Sequence, residues 1–484
     1  MVSRVDSVRQ PLLAGPTAAI DLPALAPTRV AAHFSERRWG QSLDWLTVRP
    51  TREGYALAAV VLLGLGSAQD LGTYHPLGLL AIVGAAVCAV LGATTASGRR
   101  AHRLTWCIAA FVGAIAMGFF NGPGLVAWLD PLAGAGAAVL VISSKRTLTR
   151  LGGCLVAATA TAVVVGKALN VGPVDIDVFK FTQRATLQLL HGRDPYAFAY
   201  PTTTPHLPVA HYTDLPGVIL LSIPGRLLGD VRLSDMLAVL VLIAAITMLA
   251  RRYGGAEQGW RCLAICLTLP FFPLMILLAW SEIYLMALIP LWLVLRDQHR
   301  LISVVILGVG IATVPTPWPL LILPFLWWRQ ARLEIFGAAL VAIALCFPFA
   351  LWAGPANFIE AALLVNLHLP PLRSGLDLDS LYRIVTGSWL PVWFWPVGSG
   401  SALLMVARAH ARTWNSALYL GSTLLLVSFL SAKWAYFDYY FLAAVGLILA
   451  MALERSADQV SAPLSRVRVA SVAQVQTDGG AGAR

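Results

Sequence analysis

Asp175 and Asp177 stand two residues apart directly after an apolar run, and Lys180 and Arg184 follow them in the stretch Asp-Ile-Asp-Val-Phe-Lys-Phe-Thr-Gln-Arg. Carboxylates at the mouth of a membrane segment move ions or act as a general base toward a hydroxyl. Two like charges this close suit proton transfer, and a nearby Lys or Arg stabilises a departing phosphate. Each residue also has a plainer reading. Asp175 reads equally as a solvated loop acid, and Asp177 as the cap of a helix beginning near Val178. Lys180 and Arg184, at i, i+4 spacing, give one cationic helix face that is either solvated or a phosphate clamp.

Other candidates follow later apolar runs. Glu282 comes two residues after Trp280, a ring expected as an interfacial anchor, and an acid so near a membrane needs a partner such as an acceptor hydroxyl or a metal. Arg373 offers a planar fork and Lys433 a point charge for a phosphate; snorkelling to headgroups is the alternative for both. Asp194-Pro195-Tyr196 reads chiefly as a turn, with Tyr196 available to a substrate. His206 and His211, with Asp214 close by, match no helical ligand spacing, so no metal site is assigned. The aromatic stretch from Trp434 to Tyr440 suits an interface belt or a sugar platform.

The elements that position these residues are membrane spans. Of the 484 residues, 58% are hydrophobic and 12% charged, and the mean hydropathy is +0.73. So few charges cannot cover so much apolar surface in water. The fold class is therefore all-α, a polytopic transmembrane bundle. Candidate spans are 54 to 69, 75 to 94, 104 to 120, 125 to 143, 151 to 169, 234 to 250, 260 to 279, 283 to 296, 301 to 314, 316 to 328, 333 to 353, 389 to 407, 414 to 431 and 434 to 453, fourteen in all. Those between 283 and 328 are short for a straight crossing of roughly 20 residues. The run Pro216 to Leu228, with two prolines, reads as a re-entrant or interfacial helix.

A net charge of +11 could suggest nucleic acid, but Arg99, Arg100, Arg103, Lys145, Arg146, Arg150, Arg251, Arg252, Arg261, Arg296, Arg300, Arg329, Arg332, Arg408 and Arg412 fall in alternate short loops. That pattern is a topology signal, with anionic headgroups as contacts. It places both termini in the cytoplasm and two long loops, 170 to about 233 and 354 to 388, outside, together with every candidate above. Residues 1–53, with seven arginines, and 454–484 read as disordered cytoplasmic tails. The six cysteines lie in apolar segments and read as buried thiols.

The stretch Asp177-Val178-Phe179 followed by Leu189-Leu190-His191-Gly192-Arg193-Asp194-Pro195-Tyr196 resembles the first outer loop of the polyprenyl-phosphate-sugar-dependent membrane glycosyltransferases of GT-C fold, and most of all their bacterial mannosyltransferase-like group. Gly229-Asp230-Val231-Arg232, Trp280-Ser281-Glu282, Pro315-Thr316-Pro317-Trp318, Leu369-Pro370-Pro371-Leu372-Arg373 and Tyr436-Phe437-Asp438-Tyr439-Tyr440 follow in the family's order over about 151 to 453. The resemblance implies a sugar, mannose or arabinose, carried from a polyprenyl phosphate to a lipid-linked or envelope-glycan acceptor with inversion, outside the bacterial cytoplasmic membrane. It implies Asp177 as catalytic base and leaves room for a divalent cation between Asp177 and the donor phosphate.

Two departures stand out. Four spans at 54–150 precede a core at 151–453, and Leu215-Pro216-Gly217 and Val314 stand where many relatives have Tyr-Pro-Pro and Lys. A lipid or sugar carrier, or a catalytically silent scaffold, is the alternative. Predicted mid-span segments almost free of ionisable residues favour surface chemistry over a carrier.

Overall fold

A computed structural model describes residues 51–68, 75–95, 100–120, 124–170, 176–198, 200–201, 209–210, 212–314, 318–364, 375–391, 393–408, 413–432, 435 and 437–454. The chain divides into Met1–Arg49 and Pro50–Arg484. The described residues belong to the second unit, and both presumed tails lie almost wholly outside them.

The second unit is a bundle of helices: α1 (Arg52–Ser67), α2 (Pro76–Thr94), α3 (Arg103–Phe120), α4 (Leu125–Ser143), α5 (Thr147–Asn170), α6 (Asp177–Leu190), α7 (Pro216–Leu227), α8 (Arg232–Thr268), α9 (Phe271–Leu278), α10 (Glu282–Leu295), α11 (Arg300–Ile311), α12 (Trp318–Trp327), α13 (Arg329–Ala353), α14 (Pro355–Ile359), α15 (Leu378–Thr386), α16 (Phe394–Arg408), α17 (Trp414–Ser431) and α18 (Phe437–Ala452). A wider turn, Glu360–Leu364, extends α14. The described strand pairing is a two-residue antiparallel ladder, Tyr200–Pro201 against Val209–Ala210. The protein is a multi-pass membrane protein. Among the described residues α2, α4, α5, α8, α13 and α17 are each long and apolar enough to cross a bilayer, whereas α3, α7, α10, α11 and α18 are apolar but shorter. On α13, Phe336, Ile343 and Phe347 are more than half exposed, as a lipid-facing helix requires.

Local chemistry sets the helix ends. The Thr51 hydroxyl accepts from Gly54 N–H at 3.0 Å to start α1, so Arg52 and Glu53, expected in the tail, form its first turn. Pro76 opens α2, where a missing N–H is harmless. The expected loop after residue 250 shrinks to one break inside α8, at Gly255 with φ 82° and ψ 176°. The expected span 260–279 is two helices, because Pro270 holds Leu269 extended (φ −85°, ψ 135°) and so ends α8. α9 then stops at Ala279, the one non-glycine residue at positive φ (55°) among those described.

Helix α18 is the axis of the core. It packs against α17, α1, α8 and α10, and Tyr440, Phe441, Leu442, Ala443 and Ala444 are fully buried. Its two ends have opposite chemistry. Near Met451, the Gln258 amide donates to the Met451 carbonyl (3.2 Å) and to Glu53 Oε1 (2.7 Å), and Glu53 Oε2 accepts from Ala101 N–H (2.5 Å). Arg103 and Arg261 pair with Glu257 at 2.8 and 2.9 Å on that network's border. Asp438 opens the other end, about 20 Å away at 1.5 Å per residue.

A candidate active site at the acid-bearing end of the bundle

The turn 279–282 is the centre of this end. Leu278 ends α9, Ala279 takes the left-handed conformation, and Trp280 N–H donates back to the Met275 carbonyl at 3.1 Å. A left-handed alanine costs about 1–2 kcal/mol. It is held here by packing: Ala279, Phe179 and Val231 form one small buried cluster. The reversed chain then presents Ser281 and Glu282 at the start of α10, 3% and 6% exposed.

Asp214 meets this turn from the preceding loop. Ser281 Oγ donates to Asp214 Oδ1 at 3.2 Å, and Tyr196 Oη donates to the Asp214 carbonyl at 2.8 Å. Burial pushes the Asp214 carboxyl up to about 7, against the opposing pull of the Ser281 hydrogen bond and of the nearby Tyr212 hydroxyl. Burial likewise raises the neighbouring Tyr212 hydroxyl well above its ordinary range, with Asp214 adding to the effect. Glu282 lies within electrostatic reach of Asp438 and Asp214. Its Oε2 is buried without a hydrogen-bond partner, and so are both carboxylate oxygens of Asp438, which is 1% exposed. The Asp438 and Tyr439 N–H groups face that carboxylate at the start of α18 without reaching hydrogen-bond geometry. The half-buried Asp214 and the buried Glu282 and Asp438 thus come from three segments to one place.

Asp377 borders the same region. It caps α15 by accepting from Ser380 N–H at 2.7 Å, and its second oxygen accepts from Ala435 N–H at 2.9 Å. Burial pushes its carboxyl up to about 6, against those hydrogen bonds.

The residues singled out in the sequence are placed unevenly. Asp177 is half-buried at the first position of α6, with Ile176 rather than an acid as the cap. Phe179, in the same turn, shares a buried cluster with Val231 and with Ala279, three residues before Glu282. Lys180 is half-buried and Arg184 exposed, one turn apart on α6. Tyr196 is a packed ring, 2% exposed, with edge contacts to Tyr212 and Phe358 at 5.6 and 5.0 Å; Asp194 Oδ1 accepts its N–H at 2.9 Å, forming the expected turn. Tyr196 and Glu282 both border Asp214. Asp175, Arg373 and Lys433 lie outside the described residues, as do His206, His211 and Trp434.

Asp214 and Asp438 were not among the expected site residues. Asp438 had a signal, an acid opening an otherwise apolar and aromatic run. Asp214 had only its place near His206 and His211 and before Leu215-Pro216, because its partner Ser281 is 67 residues away. Among the described residues no three His, Cys, Asp or Glu side chains gather closely enough to hold a metal ion. All six cysteines are free; Cys262 and Cys266 are buried as expected, whereas Cys88, Cys107, Cys154 and Cys346 are half-buried.

The chain matches no protein-family model and no curated protein. It is similar to a solved structure, that of ArnT from Cupriavidus metallidurans bound to undecaprenyl phosphate, with 18% identity, 64% of this chain and 61% of that chain covered, and a TM-score of 0.43.

Proposed function

We propose that the protein is an integral membrane glycosyltransferase of GT-C type, in the mannosyltransferase-like group. It transfers mannose or arabinose from a polyprenyl phosphate to a lipid-linked or cell-envelope glycan. The observation that carries this reading is the packing of Phe179, in the Asp177 turn of α6, in one buried cluster with Val231 and with Ala279, which leads into Ser281 and Glu282. The half-buried Asp177 carboxylate then works together with the acids at a membrane-embedded helix end. Such a site favours proton transfer to and from a hydroxyl, because water is excluded and the acids are held by packing.

In this reading Asp177 takes the proton of an acceptor hydroxyl. The acceptor oxygen attacks the anomeric carbon, the bond from that carbon to the phosphate oxygen breaks, and polyprenyl phosphate leaves with the electron pair, inverting the centre. Lys433 and Arg373 carry the phosphate charge, aided by Lys180 and Arg184 on α6; Asp175 and Glu282 line the sugar and acceptor, and the packed Tyr196, expected to meet the substrate, instead holds the Asp214 backbone. The site faces the outside of the cytoplasmic membrane. Residues 54–150 form an added module and 151–453 the catalytic core.

The test is incubation of the purified protein in lipid bilayers with radiolabelled polyprenyl-phosphate mannose and arabinose and with envelope glycolipids. Labelled glycolipid supports the proposal. Movement of labelled lipid between leaflets without transfer makes the protein a carrier, and neither makes it a scaffold.

A further inference from the structure

Helix α15 buries polar residues and exposes apolar ones. Asp379 and Ser380 are 3% and 0% exposed, and Asp379 Oδ1 accepts from Leu390 N–H at 2.6 Å. Leu378 and Leu381 pack on the core, but Tyr382, Ile384 and Val385 point out, at 39%, 53% and 74% exposed. The turn after it is aromatic. Arg383 lies over the Trp389 ring at 3.6 Å, and Trp393 and Trp395 are 61% and 48% exposed. The bare apolar surface runs on into α16, where Val397, Leu404 and Met405 are exposed while Ala402 packs inward near α17, a helix long and apolar enough to span.

In water this arrangement would expose a contiguous apolar patch with no compensation. Against lipid it is the stable choice, and Trp and Tyr are the rings that favour the level just below the headgroups. Continuity with α16 selects lipid over a protein partner.

We propose that α15 and the turn Trp389–Trp395 form an element lying in the plane of the membrane, with Tyr382, Ile384, Val385 and Trp393 against the upper acyl chains of the leaflet at the acid-bearing end. The chain leading into this element is bonded to the segment that opens α18. Leu376 N–H donates to the Ala435 carbonyl at 2.8 Å, and Tyr440 Oη donates to the Leu376 carbonyl at 2.7 Å, two residues beyond Asp438. Lipid therefore meets the protein one helix away from the buried acids. The inference stands whether or not the protein transfers sugar.

The unaltered chain in nanodiscs containing phosphatidylcholine with a diazirine on the upper acyl chain tests it. After irradiation, peptide mapping should find lipid adducts within 382–397 at a level comparable to those on the exposed face of α13. Adducts on α13 with none on 382–397 overturn the proposal. A second measurement uses a chain with the six cysteines replaced and Val385→Cys carrying a nitroxide. Relaxation by oxygen should exceed relaxation by a water-soluble nickel chelate several-fold. Stronger relaxation by nickel puts the face in water, and weak relaxation by both puts it under protein, such as a second copy; either result overturns the proposal.

Discussion

The backbone N–H of Gly217 donates to the carbonyl of Ala312 at 2.8 Å, and beside it Leu215 N–H donates to the Thr313 carbonyl at 3.0 Å. These bonds fasten the start of α7 to the exit of α11. They also bring together the positions where the sequence departs from the family it resembles, Leu215-Pro216-Gly217 and Val314. Leu215 and Val314 are buried, 8% and 4% exposed. The two altered motif positions are one local change, an apolar seam beside Asp214.

Gly217→Ala tests that seam. A Cβ there would lie 2.6 Å from the Ala312 carbonyl oxygen and 3.0 Å from Thr313 N, both backbone atoms that cannot swing away. The substitution should cost about 1–3 kcal/mol, read as an earlier thermal transition in detergent. Gly152→Ala on α5, where a Cβ meets nothing within 4 Å, is the control and should be neutral or slightly stabilising. Equal transitions in the two variants would remove the seam's importance.

Asp177→Asn should lower sugar transfer by about 10²–10⁴-fold, the usual worth of a positioned general base. Asn keeps the size of the side chain at the start of α6, so the thermal transition and membrane insertion should match the parent. Undiminished turnover would refute Asp177 as the base.

Asp214→Asn should change how stability depends on pH. The unfolded carboxyl titrates near its ordinary value of 3.8, the folded one near 7. Below pH 4 both states hold the proton and nothing is lost. Between about 4 and 7 the unfolded chain releases its proton while the folded chain keeps it, so the folded state weakens as pH rises, and the loss is complete above 7. Relative to the parent, Asp214→Asn should gain thermal stability progressively from pH 4.5 to 7 and then level off. A constant difference across that range would contradict the burial of this acid. Asp377, pushed up to about 6, acts in the same direction and is present in both proteins.

Glu53→Ala should destabilise the protein by about 1–3 kcal/mol, because the Ala101 N–H and the Gln258 amide lose their buried acceptor. Glu53→Gln keeps an acceptor oxygen and should recover part of the loss. Both variants lie at the far end of α18 from Asp438, so KM in a transfer assay should be unchanged. A raised KM would mean that the two ends are coupled.

Much of the bundle was legible because apolar runs and helix breakers are local signals. The spans at 75–94, 125–143 and 414–431 match α2, α4 and α17 within a residue, and the run at Pro216 is α7. Where helix ends depend on one residue, the reading slipped. Gly255 lets two helices join almost without a loop, and Pro270 with left-handed Ala279 cuts one expected span into two.

Composition alone determined that this chain lives in a membrane as helices, because apolar surface on that scale has no other stable home. Sequence spacing also pointed to Asp177 and Glu282 as carboxylates near a membrane surface. The tertiary structure decided that Asp214, Glu282 and Asp438 come together, that Tyr196 is a packed ring, and that Asp379 and Ser380 of α15 turn inward. The acid cluster and its border depend on contacts between distant residues, such as Ser281 with Asp214, 67 positions apart, and Ala435 with Asp377, 58 apart. Charge and hydropathy along the chain carry no record of such pairings, which arise only when the helices pack.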